Sequence, residues 1–176
     1  SWESRPKTWW NVDTKYDVYG YYPYATPTSV DEYRFSVQED QSSLKDGSSL
    51  GGYEASDFLW TKTSGVYYPQ RVGLKFTHKM SRLVINLLKG EDFESDFPDD
   101  IVVKIHSVVT DAVIDLGAGV VTKDPHATTR SIIARKEAEG KYAAIIVPQN
   151  MTRRQPLVEI LSCGVSYLLE SRHYFA

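Results

Sequence analysis

Four histidines, one cysteine, an acidic loop and an aromatic cluster are the side chains of this 176-residue chain whose chemistry could exceed packing. His78, His106, His126 and His173 include no HxH or HxxxH pair that would offer two imidazoles to one metal ion. His78 and His106 fall in strand-like stretches and read as structural or surface residues. The loop GEDFESDFPDD (90–100) carries Glu91, Asp92, Glu94, Asp96, Asp99 and Asp100. Calcium accepts such oxygens, but the alternating ligands and central glycine of an EF-hand loop are missing, so the segment reads as a solvated loop. Cys163 has no second cysteine for a disulfide or a thiolate cluster and reads as a small residue in a turn. Gly117 and Gly119 form a GxG with neither a third glycine nor a following helix to receive a phosphate. No GxSxG, P-loop or Cys/His pairing marks a nucleophile. The expectation is therefore no catalytic residue, no metal site, no cofactor and no enzyme; a hydrolase on this chain would lack a paired acid and base.

The aromatic cluster is the one feature that could hold a small ligand. Trp9, Trp10, Tyr16, Tyr19, Tyr21, Tyr22 and Tyr24 crowd residues 9–24. Aromatic faces stack on sugar rings, which makes Trp9, Trp10, Tyr19 and Tyr21 candidates for a platform that binds host glycan or protein. The commoner use of such rings is packing on sheet faces and pairing across strands.

The charge balance, 20 basic against 23 acidic residues, gives a net −3 and no basic field for nucleic acid or an anionic membrane surface. No apolar run reaches membrane-spanning length. The opening Ser1-Trp2-Glu3 reads as a processed N-terminus.

These side chains must be positioned by strands. The segment Val72–Gly90 is the most informative: Val72, Leu74, Phe76 and His78 share one parity, and Leu83, Ile85 and Leu87 the other. Strand side chains change face every residue, so one extra residue near Met80-Ser81-Arg82 must bend the strand or break it in two. Further strands are expected at 15–24, 33–37, 101–108, 112–116, 120–122, 131–134, 142–147, 157–162 and 165–170. Hairpin turns are expected at Gly117-Ala118-Gly119 and Cys163-Gly164. Residues 142–147, YAAIIV, are nearly continuous in apolar side chains and read as a central strand ended by Pro148. Residues 1–14 read as a loosely ordered lead-in, 39–52 as a loop, and Phe58-Leu59-Trp60 as a short apolar anchor. Helix is expected for at most one turn, at 79–82 or 135–139. The fold class is all-β, an antiparallel β-sandwich formed by a single domain over 15–176.

The segment FTHKMSRLVINLLKG (76–90) resembles the fimbrillin family, fimbrial subunits and fimbrillin-like surface lipoproteins of Bacteroides-type bacteria. VYGYYPY (18–24), YEASDFLWT (53–61), AVIDLGAGVV (112–121) and YAAIIVPQN (142–150), the last followed by LVEILSCGVSYLL (157–169), resemble it in the same order. The resemblance implies an N-terminal fimbrillin domain, a sandwich of transthyretin-like, Greek-key topology. It also implies a subunit or accessory subunit of a fimbria at the cell surface, in the outer membrane or fimbrium. Such a subunit supports adhesion and is joined to other fimbrial subunits, or to copies of itself, by strand exchange after a protease removes an N-terminal arm. Membrane attachment would need a lipid anchor this chain does not carry, since Cys163 is internal, and a second family domain is not expected within it. The apolar segments 72–78 and 165–169 are the candidates to border an exchange groove, with Leu74, Phe76, Val165 and Tyr167 as its side chains.

Overall fold

A computed structural model describes residues 11–91 and 96–171. Along these residues run β1 (Tyr16–Tyr22), β2 (Tyr33–Ser36), α1 (Gly52–Ser56), β3 (Leu59–Val66), β4 (Thr77–His78) and β5 (Ser81–Asn86). They continue through β6 (Val102–Val109), β7 (Asp111–Asp115), β8 (Val120–Lys123), β9 (Thr129–Ile133), β10 (Arg135–Ala138), β11 (Lys141–Ile146), β12 (Pro156–Ser162) and β13 (Val165–Glu170). The protein is an antiparallel β-sandwich, as its alternating sequence requires.

The backbone of one layer is a long bent hairpin. β6 and β7 run as one arm with a break at Thr110, and β8 and β9 return as the other. At its tip Gly119 takes φ 68° and donates its N–H to Asp115 O, while Asp115 Oδ1 accepts from Ala118 N. Glycine is required there twice over, by the left-handed φ and by space: a Cβ would come within 2.6 Å of the Trp60 indole, whose Nε1 donates to Leu116 O. Ser107, at φ 59°, sits where the β6–β9 register slips between Ile105 and Val108. This bulge changes the parity of burial along β6, from Val103 and Ile105 to Val108. β12 and β13 extend the layer to the order β13-β12-β6-β9, turning at Cys163 (φ 49°) and Gly164 (φ 75°), the two positive values a tight two-residue hairpin needs.

Facing it is the sheet β10-β11-β5. Every residue of β11 from Tyr142 to Ile146 is buried, as expected for a central strand. The segment carrying the parity jump breaks at Lys79-Met80, with β4 pairing with β3 and β5 with β11, so the chain changes sheets at this corner and buries Met80. Only Thr77 and His78 of the expected strand 72–78 pair; residues 72–76 run without ladder partners. Other features also differ from expectation. The helical turn falls at α1, neither 79–82 nor 135–139 is helical, and Arg135–Ala138 is the edge strand β10. The apolar anchor at 58–60 leads into the eight-residue strand β3, which pairs with β1.

A single apolar core joins all these pieces, from Phe35 and Phe58 through Ile105, Ile114 and Ile132 to Ala143, Ile145 and Val158. Two glutamines close backbone gaps inside it. Gln41, 0% exposed, donates Nε2 to Ile145 O at 2.7 Å and to Gln38 O at 3.1 Å, and its Oε1 accepts from Ile145 N at 2.7 Å. Its own N–H meanwhile donates to Ile133 O of β9. Gln149 repeats the device on Val109, accepting from its N–H and donating to its C=O, each at 2.9 Å. α1 is held by similar tertiary bonds. Ser56 Oγ donates to Gly52 O and accepts from Gln38 N, and Arg135 lies 3.7 Å over the Tyr53 ring. Arg82 Nε donates to Tyr53 Oη at 2.9 Å, and its guanidinium pairs with Glu137, which Lys141 also approaches at 3.4 Å.

Two predictions follow from these buried and paired groups. Gln41→Leu strands the N–H and C=O of Ile145 in the core and is expected to lower unfolding free energy by about 2–4 kcal/mol, read as a reduced urea midpoint at unchanged slope. Glu137 is held below the ordinary value of 4.5, first by its bond to Arg82 and then by Lys141. A depressed folded pKa contributes stability that is complete above 4.5 and lost as pH falls through the folded value. Urea midpoints should therefore drop on acidification below 4.5, with a shallower drop in Glu137→Gln.

Candidate functional site

A concavity of about 810 Å³ lies along one open side of the sandwich. One wall is the whole of β5 and Leu87; the floor is Ile146, Met151, Leu157, Val158 and Ile160; Leu169 of β13 stands at the far rim. The sequence builds this shape by stopping one sheet a strand early. In the order β10-β11-β5, β5 pairs with β11 alone among the described residues. Leu87 N donates to Gly140 O, which places Leu87, Ile85, Leu83 and Ser81 in the row bonded to β11. The backbone N–H and C=O groups of Arg82, Val84 and Asn86 consequently face the open edge.

The opposite layer runs one strand further. Cross-strand partners share a face, so Leu169 and Tyr167, opposite Val158 and Ile160, look toward the groove, and Val165 follows in the same alternation. These three inward-facing apolar residues are nevertheless 58%, 60% and 48% exposed, because the β5 sheet ends before reaching them. The turn that aims β13 is fixed by Asp100. Its carboxylate accepts from Cys163 N at 2.6 Å and Ser162 Oγ at 3.0 Å, and these bonds, Cys163 first, hold its pKa below the ordinary range.

The residues singled out from sequence fall in different places. Val165 and Tyr167 share the face of β13 that carries Leu169, but Leu169 alone of that strand lines the groove. Leu74 and Phe76 are not among the groove's lining residues; Phe76 instead packs on β1, where a Cβ at Gly20 would come within 2.9 Å of its ring. Trp9 and Trp10 lie outside the described residues. Tyr19 is 43% exposed, with the Lys62 ammonium 5.0 Å over its ring. Tyr21 stacks on Phe58, meets Tyr33 at a tilt and donates its hydroxyl to Ala25 O, so its ring is engaged by the core. His78 Nδ1 sits 2.8 Å from Asp57, and no group of three potential metal ligands gathers among the described residues. Sequence reasoning missed β5 as the principal wall. The available signal was the absence of any charged or proline residue within LVIN (83–86) to blunt an edge.

Three solved structures share this fold, all described as candidate cell adhesion proteins. The one from Bacteroides ovatus aligns with a TM-score of 0.70 at 18% identity, covering 89% of this chain and 56% of its own. Those from Bacteroides uniformis (TM-score 0.68, 19% identity, 95% and 64% covered) and Bacteroides thetaiotaomicron (0.62, 17%, 90% and 59%) agree. The chain thus spans less than two thirds of the length of each. No curated protein matches. The model of the fimbrillin-like family matches residues 1–175, and the chain belongs to that family.

Proposed function

We propose that this protein is a cell-surface structural or accessory subunit of a fimbria, joined to its neighbours by addition of an extended strand and supporting adhesion. The observation that carries this reading is the open side of the sandwich, where, among the described residues, the inward face of β13 is uncovered and the outer edge of β5 is unpaired. Strands in a sheet lie about 4.8 Å apart and stacked sheets about 10 Å, so a strand laid on β5 would stand over Val165, Tyr167 and Leu169. The outward backbone groups of Arg82, Val84 and Asn86 would supply affinity, and apolar side chains at alternate positions of the guest would fill the groove and fix its register. Membership of the fimbrillin-like family and the adhesion descriptions of the similar structures support a surface role. The partner is another fimbrial subunit or a second copy of this one; contact with host glycan or protein through the aromatic cluster is the rival reading, and the engaged ring of Tyr21 does not favour it.

Val84→Pro tests the assembly. It removes an outward N–H while leaving the β11 ladder intact, a position where a strand tolerates proline. The full-length protein, trimmed at its N-terminal arm by trypsin, is expected to form oligomers by light scattering and electron microscopy, and the variant to remain a folded monomer. A wild-type protein that stays monomeric after trimming would sink the proposal, and oligomers undiminished in the variant would move assembly away from β5.

A further inference from the structure

On the opposite, outer face of the β13-β12-β6-β9 sheet, four polar side chains form one continuous row across the strands. Ser131 Oγ on β9 is 2.6 Å from Nδ1 of His106 on β6; His106 Nε2 is 2.8 Å from Glu159 Oε2 on β12; Ser166 Oγ on β13 donates to Glu159 Oε1 at 2.7 Å. The bonds from Ser166 and His106 hold the Glu159 carboxyl below its ordinary value, so it is an acceptor only. An acceptor at Nε2 requires the proton of a neutral imidazole to reside there. The lone pair is then on Nδ1, facing the Ser131 hydroxyl, which donates to it. Nucleophile, base and orienting carboxylate thus stand in the order that activates a serine.

From this arrangement we infer that Ser131 is a base-activated nucleophile and that this face accepts an acyl group from an activated ester. Exposure is divided as such a site needs. Ser131 is open to solvent, whereas the side chains of His106 and Glu159 are 22% and 19% exposed. The bulge at Ser107 places two residues, His106 and Ser107, opposite Ser131, and so aims the imidazole at the edge strand. Ile133 bonds outward to Glu39 and Gln41, while Ala134 bonds inward to Val103. By the same alternation the N–H of Ser131 points to the sheet edge, where it can donate to a developing oxyanion. A shallow cleft of about 440 Å³ borders the row, with Thr129, Pro156 and the half-exposed Leu168 available to an apolar acyl chain.

In the step, Oγ bonds to the ester carbonyl carbon as its proton passes to Nδ1. The tetrahedral adduct then collapses with cleavage of the bond to the leaving oxygen, which departs with the Nδ1 proton as the free alcohol. Ser131 retains the acyl group as an ester. The site lies outside the groove, so its test is separate from that of assembly.

The same row ties four strands together, so the experiment must read chemistry rather than stability. The full-length protein is treated with p-nitrophenyl acetate and followed by intact mass and peptide mapping. One acetyl group is expected on Ser131. Ser131→Ala should abolish the adduct, and His106→Gln should slow it about 100-fold. Glu159→Gln, whose amide can donate to Nε2 and turn the ring proton toward Nδ1, should slow it as well. Acetyl groups only on lysines or the N-terminus would overturn the inference, as would Ser131 acetylation at equal rate in His106→Gln. If His106→Gln failed to fold, the Ser131→Ala mass and the Glu159→Gln rate would decide alone, an unchanged rate in Glu159→Gln counting against.

Discussion

A peptide group buried between two sheets must find a hydrogen-bond partner, and where the neighbouring strand ends too soon that partner has to come from a side chain. At Ile145 the edge strand β10 has already ended, and the amide of Gln41 takes its place with one donor and one acceptor. The geometry reproduces a strand's own bonding, so β11 reaches full burial without an orphaned polar atom. Because the backbone of Gln41 bonds to β9, the same residue fastens the two layers to each other. Gln149 does the equivalent for Val109 where β6 gives way to β7. All buried side-chain polar atoms among the described residues are satisfied, which is what permits an apolar core to run unbroken through a sandwich assembled from short strands.

The side of the molecule held by Gln41 is closed, and the opposite side is not. β5 ends one sheet while β12 and β13 continue the other, leaving inward-facing apolar residues with no opposing layer among the described residues. Natural sheets protect such edges with lysine, proline, bulges or a covering loop. Here β13 reads VSYLLE and the centre of β5 reads LVI, with neither lysine nor proline in those runs. An edge that is regular and apolar is a liability for a monomer and a requirement for strand addition. The contrast between the two sides is therefore more informative than the size of the groove alone.

Those parts of the fold that depend on local pattern were legible in the sequence. Cys163-Gly164 and Gly117–Gly119 marked their hairpins because positive φ is a local demand. YAAIIV announced a central strand because both its faces are apolar, and the parity jump after His78 announced the change of sheet. What escaped depends on distant contacts. α1 is five residues long and forms because Gly52 fits against Asp40, where a Cβ would lie 1.9 Å from the carbonyl oxygen, and because Ser56 bonds to Gln38. RKEA (135–138) is rich in helix formers, yet pairing with β11 and the bonds of Arg135 and Glu137 override that preference. The groove was less legible for a related reason. Val165, Tyr167 and Leu169 alternate along one face of VSYLLE and mark that face as apolar, whereas the only hint in β5 is the uncharged run LVIN, and its missing neighbour is a matter of distant contacts.

The outer row of Ser131, His106, Glu159 and Ser166 is the extreme case of this limit. Its members are separated by 25, 53 and 7 positions in the chain, and only the registers of β6 with β9, β6 with β12 and β12 with β13 bring them together. A register slip of one residue would send each side chain to the other face, and the row would not exist. The slip at Ser107 is thus part of the site, because it resets the facing of β6 midway along its length. The consequence is a division of labour across one sheet: β12 and β13 turn Ile160, Tyr167 and Leu169 toward the groove while presenting Glu159, Ser166 and Leu168 outward. A guest strand on β5 would cover the first set and leave the second in solvent, so the strand that borders assembly on one face can carry separate chemistry on the other.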